Sequence, residues 1–476
     1  MIASLKQKTL RGVGWTIGAR QIQQGVTLVI TAILANLLSP ADFGLVGMVT
    51  ILVGLAMILA DTGFSAVIVQ DQSLGQRHYS TLFWLNLAIG VVVALAFYWS
   101  APAVAWFYGR DELIPLAQVL SVSFVLSSFS SLPEALMRKE MDFKALSVID
   151  TSVHLLVGAI VVLMALNGFG IWSLVAQPLL QQSLKAVLMW WHCSWRPSFL
   201  VSFYALRDVF QFSANMLLLR YLHYTMANMD YVIVGRFLGP DLLGIYTLAY
   251  KVMFVPIRNI CLEIVKVLFP AFSQIQDDPV AFARAYLRAL RSTCYVVLPM
   301  LMGMVIVAEP FIQTVFGEQW QGAVPVLKLL CFVGMLHIFI ALSGVVFRAL
   351  GRPGLELKIN VVRFVLVLPA LLVAIQYGLV LFVWVLLIAT ALFTLVQQIY
   401  VGRLLQCDWR DCISALLPPL GVSLVMGALL LWLQIVLASA SPLSQLLVLA
   451  LSGGAIYLLG VALIWWCCRA WNIRFI

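Results

Sequence analysis

The sequence predicts an all-α polytopic membrane protein. Of its 476 residues, 63% are hydrophobic and only 10% are charged, and the mean hydropathy is +1.02. A soluble domain is nearer to 25% charged. The apolar residues occur in long runs with short polar connections between them. Soluble cores could not bury this much apolar surface, so these runs are predicted to lie in lipid.

Fourteen apolar runs are long enough to cross a bilayer, which takes about 20 helical residues. Because every connection is short, none is predicted to fold as a separate domain. The predicted spans lie near residues 12–38, 43–69, 80–106, 113–132, 145–166, 169–191, 212–236, 242–269, 292–316, 323–349, 358–377, 379–402, 412–438 and 443–468.

The basic residues lie mostly in the connections on one side of the predicted membrane helices. With a cytoplasmic N-terminus, 20 of the 29 lysines and arginines fall in cytoplasmic segments, 2 in periplasmic loops and 7 inside helices. Cytoplasmic loops of membrane proteins carry such an excess. We therefore predict that both termini are cytoplasmic. The net charge of +9 is then explained by helix orientation, and no nucleic-acid partner is predicted.

An internal repeat relates two halves of the chain. ANLLSPADFG at 35–44 matches GRFLGPDLLG at 235–244, with proline at Pro40 and Pro240 and glycine at Gly44 and Gly244, a constant shift of 200 residues. Both halves start on the same side, so the repeat is parallel, and such bundles place their site between the halves. The predicted parts are 1–204 (helices 1–6), 205–405 (helices 7–12) and 406–476 (helices 13 and 14).

Charged residues within the predicted spans are the candidate site, because charge in hydrocarbon is costly and marks pathways. Lys251 and Arg258 are seven residues apart, so they share one face of helix 8. Arg258 follows Pro256 by two residues and has no acid at its depth. A buried guanidinium needs a counter-charge, and a ligand phosphate can supply it through two parallel hydrogen bonds. Arg258 is thus the first candidate for binding an anion.

Two further arginines and a set of polar residues are predicted to line the same cavity. Arg20 in helix 1 recurs as Arg220 in helix 7, and the polar residues after Arg20 follow at helical spacing. Hydrogen bonds between helices are the alternative interpretation of this stripe. The predicted cavity-lining polar residues are Gln23, Gln24, Thr27, Asn215 and Asn228.

Three intramembrane acids, Asp61, Asp230 and Glu263, lie at depths similar to those of basic residues on neighbouring helices. They are candidates either for structural ion pairs or for coupling to Na⁺ or H⁺. Glu263 has a second candidate partner in Lys266, three residues along the same helix. With five basic residues against three acids, the cavity is predicted to be cationic.

Metal and cofactor chemistry is not predicted. The five histidines show no metal-ligand spacing, and the eight cysteines form no CxxC motif.

Three motifs, together with the predicted fourteen-helix layout, resemble the polysaccharide-transporter family. They are R-G-x-x-W at 11–15, L-L-S-P-A-D-F-G at 37–44, and D-x-x-x-x-G-R-F-L-G-P-x-x-L-G-x-Y at 230–246. Within this family the chain is similar to the Wzx-type flippases, in particular to the branch that includes the colanic acid exporter. The resemblance implies membership of the multidrug/oligosaccharidyl-lipid/polysaccharide (MOP) exporter superfamily.

The resemblance also implies a function. The chain would flip an undecaprenyl-diphosphate-linked oligosaccharide repeat unit across the bacterial inner membrane for exopolysaccharide or O-antigen synthesis. Relatives work by alternating access with a cationic central cavity, and Arg20 and Arg258 match their basic residues on helices 1 and 8. Membrane lipids and polysaccharide polymerase machinery are the implied partners, and a monomer would suffice.

Three other functions were weighed. A polymerase or glycosyltransferase would need an extramembrane site with acid/base residues, which the short connections do not provide. A small-molecule efflux antiporter of the multidrug branch fits the layout, but the predicted cationic cavity disfavours cationic drugs. A solely structural or scaffold role is the least favoured of the three.

Overall fold

The computed structural model describes residues 2–60, 68, 74–199 and 204–470, and within these ranges the side chains of 2–14, 17, 204–219 and 464–470 are not described. The described residues are helical apart from short turns, and they include no strand. Ten described helices are long and apolar enough to cross a membrane. The all-α, multi-pass membrane class is thereby confirmed, whereas the exact number of fourteen spans stays a prediction.

The chain divides into two compact units, Met1–Gly244 and Ile245–Ile476. The internal repeat predicted a different division, into 1–204, 205–405 and 406–476. That division stays a prediction. The helices of the first unit are α1 (Ile2–Leu37), α2 (Pro40–Ala60), α3 (Gln76–Tyr108), α4 (Leu113–Lys139), α5 (Phe143–Leu166), α6 (Ile171–His192) and the first part of α7 (Tyr204–Pro256).

The second unit starts within α7 and continues through a π turn, Ile257–Cys261, into α8 (Leu262–Gln274). Two short 3₁₀ turns, Glu318–Trp320 and Ile375–Tyr377, adjoin the later helices. Those helices are α9 (Pro279–Val315), α10 (Ala323–Ala349), α11 (Pro353–Ala374), α12 (Leu379–Leu405), α13 (Trp409–Val436) and α14 (Pro442–Ala470).

Side-chain caps explain where several helices begin. Before α2, Asp42 Oδ2 accepts hydrogen bonds from the Ser39 backbone N–H (2.9 Å) and hydroxyl (2.7 Å), and Pro40 occupies the first turn. This is a capping-box arrangement, with proline where its missing N–H costs least. Asp278 caps α9 by accepting from the N–H groups of Val280 and Ala281.

Helix α7 contains the predicted break between helices 7 and 8. The chain is helical on both sides of Gly239, which itself has φ 84° and ψ −177°. Only glycine adopts this backbone conformation readily. Pro240 follows and restarts the helix, so the Gly-Pro pair of the repeat separates the two helical parts as predicted.

Each unit has its own packing. In the first unit, α1 packs on α5, α3 on α4, and α6 on both α4 and α5. In the second unit, α9 contacts α10, α13 and α14, so the two C-terminal helices pack against α9. Fully buried Tyr286 on α9 and Trp320 in the adjoining turn fill this second core.

Candidate functional site

The polar stripe of α1 is hydrogen-bonded to α5. Gln23 Nε2 donates to Thr151 Oγ1 at 3.2 Å, and the Thr27 hydroxyl lies 2.9 Å from His154 Nε2. Hydrogen bonds between helices were the alternative interpretation of this stripe, and these two bonds are of that kind. Gln24 is half-buried, and its Oε1 has no hydrogen-bond partner among the described residues. A cavity-lining role for these three residues stays a prediction.

His154 extends this hydrogen-bonding to a third helix. Its Nδ1 lies 3.5 Å from Gln181 Nε2 on α6, while its Nε2 faces Thr27 on α1. One imidazole therefore connects α1, α5 and α6. Such a chain satisfies polar groups that would be costly to leave unpaired in hydrocarbon.

An ion-pair cluster lies further along α6. Lys185 Nζ is 2.9 Å from Glu134 Oε2 on α4 and 3.2 Å from Asp150 Oδ1 on α5. The other oxygen of Glu134 accepts a 2.6 Å hydrogen bond from Arg138, four residues along the same helix. The side chains of Lys185 and Glu134 are only 20% and 22% exposed. Two acids and two bases thus neutralise one another across three helices.

A polar cavity of about 350 Å³ adjoins this cluster. Serine hydroxyls, carboxamides and the ion pair form most of its described wall, which comes from α2, α3, α4 and α6. The lining residues are Met57, Ala60, Asn86, Ser127, Ser128, Ser130, Ser131, Glu134, Ala135, Arg138, Gln182 and Lys185.

In the second unit, Arg258 and Lys251 are both exposed. Among the described residues of that unit, neither has a hydrogen-bond or ion-pair partner. Arg258 lies in the π turn that follows Pro256, and single π turns occur often at functional sites. Four residues before Arg258 is Phe254, whose ring stacks on Tyr250 at 5.9 Å. Lys251 lies between these two aromatic residues in the sequence, and Arg258 follows them at an irregular point of the helix.

Of the remaining candidate residues, some lie outside the part of the chain that the structure describes. Asp61 lies outside the described residues, as does the side chain of Asn215. Glu263 accepts a 2.7 Å hydrogen bond from Lys266, the same-helix alternative. The other four candidates are on helices of the first unit. Arg20 and Arg220 are exposed, whereas Asp230 and Asn228 are half-buried. The Asn228 amide donates a hydrogen bond to the Tyr224 carbonyl oxygen. Their roles stay predictions.

Sequence reasoning missed the cluster around Lys185. It counted Lys185 and Arg138 as charges that orient helices, and it did not consider Glu134 or Asp150. A signal was present, because Gln181, Gln182 and Lys185 follow one another at helical spacing on α6. The same polar residues explain why α6 is not among the ten apolar helices.

A family model described as "Polysaccharide biosynthesis protein" matches residues 33–325 of this chain. Teichuronic acid biosynthesis protein TuaB of Bacillus subtilis is 29% identical, covering 89% of this chain and 88% of that protein. Lipopolysaccharide biosynthesis protein WzxC of Escherichia coli is 30% identical over 78% and 76%. Succinoglycan biosynthesis transport protein ExoT of Rhizobium meliloti is 29% identical over 69% and 67%.

Two groups of solved structures share the fold. The lipid II flippase MurJ, in an inward closed conformation, has a TM-score of 0.73 at 13% identity, covering 97% of this chain and 100% of that one. An inward-facing multidrug resistance MATE transporter of the MOP superfamily has a TM-score of 0.63 at 15% identity, covering 80% and 95%. At these identities the likeness concerns the fold alone.

Proposed function

This chain belongs to the polysaccharide biosynthesis protein family, and on that premise we propose that it is a flippase for a lipid-linked oligosaccharide. The substrate would be an undecaprenyl-diphosphate-linked repeat unit that moves from the cytoplasmic to the periplasmic leaflet of the inner membrane. No covalent bond changes in this step, so no enzymatic activity is assigned. The transport relative ExoT and the MurJ-like fold support the proposal.

Arg258 is the observation that carries the proposal. Its guanidinium is exposed in the π turn between α7 and α8 and lacks an anionic partner among the described residues of its unit. A guanidinium binds phosphate through two parallel hydrogen bonds. A lipid diphosphate can supply that counter-charge transiently, whereas a protein carboxylate would hold the arginine permanently. Lys251, seven residues earlier, would add a second positive charge.

The transport cycle is proposed to be alternating access. Fourteen helices in two lobes would surround a cationic cavity, to which Arg20 and Arg220 contribute. The headgroup would load from the cytoplasm and leave on the periplasmic side while the lipid tail stays in the bilayer. The 20-to-2 distribution of basic residues supports cytoplasmic termini.

Coupling to Na⁺ or H⁺ is part of the proposal, with three acids as candidates. Asp61 and Asp230 are the first two. Glu263 is the third, and its pairing with Lys266 at 2.7 Å would have to open if it served a transported cation.

Efflux of small molecules is the second candidate function, because the fold also matches a MATE transporter. The sign of the charge separates the two functions. Lys251 and Arg258, which have no anionic partner among the described residues of their unit, would repel the cationic compounds that a negatively charged cavity would bind. Transport of an organic cation by the same vesicles would favour efflux.

The experiment uses proteoliposomes that carry an undecaprenyl-diphosphate oligosaccharide in one leaflet. A membrane-impermeant glycosidase reports its arrival in the other leaflet, with and without Na⁺ and pH gradients. We expect Arg258→Ala to slow transfer at least about tenfold, since one charge-assisted bidentate contact is worth about 1.5–3 kcal/mol. The transfer rate of Arg258→Lys should be intermediate, because lysine keeps the positive charge but cannot form the two parallel hydrogen bonds of a guanidinium.

Arg284→Ala is the matched control, since Arg284 is an exposed arginine near the start of α9. Its transfer rate should equal that of the wild type. Equal transfer by the wild type and Arg258→Ala would contradict the role of Arg258. Absence of transfer by the wild type, together with uptake of an organic cation, would replace the flippase proposal with efflux.

A further inference from the structure

The polar cavity beside Lys185 has no role in the proposed capture of phosphate. Asp150 lies seven residues after the start of α5 and Lys185 seven residues before the end of α6. At 1.5 Å per residue, both lie about 10 Å inside their helices. Lys185 lines a cavity of about 350 Å³ with a mostly polar wall, and ionisable residues within membrane helices often face such cavities. A second cavity of this unit, beside Trp15 and Ile22, is mainly apolar.

The charges among the described residues of the cavity wall do not suit a phosphate site of the kind proposed for Arg258. Lys185 and Arg138 are both paired with Glu134, and Lys185 is also paired with Asp150, so the cluster carries no net charge. A free cation is also a poor occupant. The Lys185 ammonium already lies between the two carboxylates, and the cavity is far larger than an ion requires.

The wall suits a neutral polyhydroxyl compound. Hydroxyls and carboxamides can each donate and accept hydrogen bonds, and a carboxylate fixed by Lys185 accepts them in a set direction. The volume lies at the lower end of the range of about 300–1,000 Å³ for small-molecule sites.

We propose that this cavity binds a neutral hexose unit of the transported glycan, between α2, α3, α4 and α6 of the first unit. The inference rests on the proposed flippase function. Lys251 and Arg258 are proposed to bind the diphosphate, and this cavity of the first unit is proposed to bind a sugar. The ion pairs position Glu134 as a hydrogen-bond acceptor, and Gln182 and Ser127 supply donors.

The test compares lipids that differ only in the sugar. The purified full chain in nanodiscs is titrated with undecaprenyl diphosphate and with its glucose, galactose and N-acetylglucosamine derivatives. Binding is followed by microscale thermophoresis. We expect at least one derivative to bind about tenfold more tightly than the bare lipid, a difference of about 1.4 kcal/mol.

Two variants assign that difference to the cavity. Ser127→Phe places a ring in the cavity, and Gln182→Leu removes an amide from its wall. Both should abolish the preference for the sugar-bearing lipid and leave the affinity for bare undecaprenyl diphosphate unchanged. Val122→Phe is the matched control, because Val122 lies on the same helix with 49% exposure. It should retain the preference, and size-exclusion chromatography checks that every variant is folded.

The binding results separate the proposed sugar site from the proposed flippase function. Wild-type binding of the bare lipid without preference for any of the three sugars would overturn the sugar site and leave the flippase proposal intact. A preference that survives Ser127→Phe would also overturn it. Failure to bind the bare lipid would contradict the flippase proposal itself, and the sugar site with it.

Discussion

Replacing Gly44 or Gly244 with alanine is expected to force two helix ends apart. The two glycines are repeat-related, each four residues after a proline, and each faces the other proline. A Cβ on Gly44 would lie 1.8 Å from the Pro240 carbonyl oxygen, and a Cβ on Gly244 would lie 2.0 Å from the Pro40 oxygen. Both distances are at least 1.0 Å short of the 3.0 Å below which real Cβ contacts are essentially never found.

The obstructing atoms belong to the backbone, so no side-chain rotation relieves the overlap. Overpacking typically costs about 1–3 kcal/mol, and a rigid obstacle puts these sites at the upper end. The higher helix propensity of alanine returns about 1 kcal/mol. We therefore expect each substitution to lower the free energy of unfolding by about 2 kcal/mol. One displacement relieves both contacts, so the double variant should cost less than the sum of the two.

The measurement is the free energy of unfolding of the purified protein in detergent, followed by tryptophan fluorescence. Gly25→Ala and Gly421→Ala are the controls, because both glycines are helical and exposed, and a Cβ there meets nothing within 4 Å. The free energy of unfolding of both controls should equal or exceed that of the wild type. Stability of Gly44→Ala and Gly244→Ala at the level of these controls would refute the close approach, as would additive losses in the double variant.

Three other predictions concern charge and capping. Lys185→Met removes the cation that lies between Asp150 and Glu134 and leaves Glu134 with Arg138 alone. It should lower stability by about 2 kcal/mol, with Lys185→Arg closer to the wild type in the same unfolding assay. Asp278→Ala removes the N-cap of α9 and should cost about 1 kcal/mol, with faster amide exchange in the first turn. Burial, together with the nearby Cys412 and Asp411, raises the pKa of Cys407 to about 12. Little thiolate therefore exists at pH 8, iodoacetamide should react far more slowly than with an ordinary thiol, and Asp411→Asn should accelerate the reaction.

The helices and their breaks could be predicted because local chemistry determines them. Long apolar runs are helical in lipid, where every backbone polar group must be satisfied within the segment. Ser39, Pro40 and Asp42 specify a helix start through a capping box. Gly239 followed by Pro240 specifies a break and a restart. The repeat also pointed to this pair of turns, although their mutual contact at Gly44 and Gly244 required the folded chain.

The candidate site was less predictable, because pairing depends on helix rotation and neighbours. Lys185 finds its acids 51 and 35 residues earlier in the chain, on two other helices. Depth arguments could not identify them, since equal depth does not make two helices adjacent. The same-helix pair of Glu263 and Lys266 needed only the helical repeat, and it was foreseen as one alternative.

The two kinds of intramembrane cation have opposite consequences for stability. Lys185 repays the cost of its burial through two carboxylates, so its removal should destabilise the fold. Arg258 has no such partner among the described residues of its unit, so we expect it to add little to stability, and it lies in a π turn, where the backbone is irregular. A residue that breaks the local rules without structural compensation is best explained by function. That contrast is why Arg258, rather than a paired cation, is the residue whose loss should slow transport while leaving the protein folded.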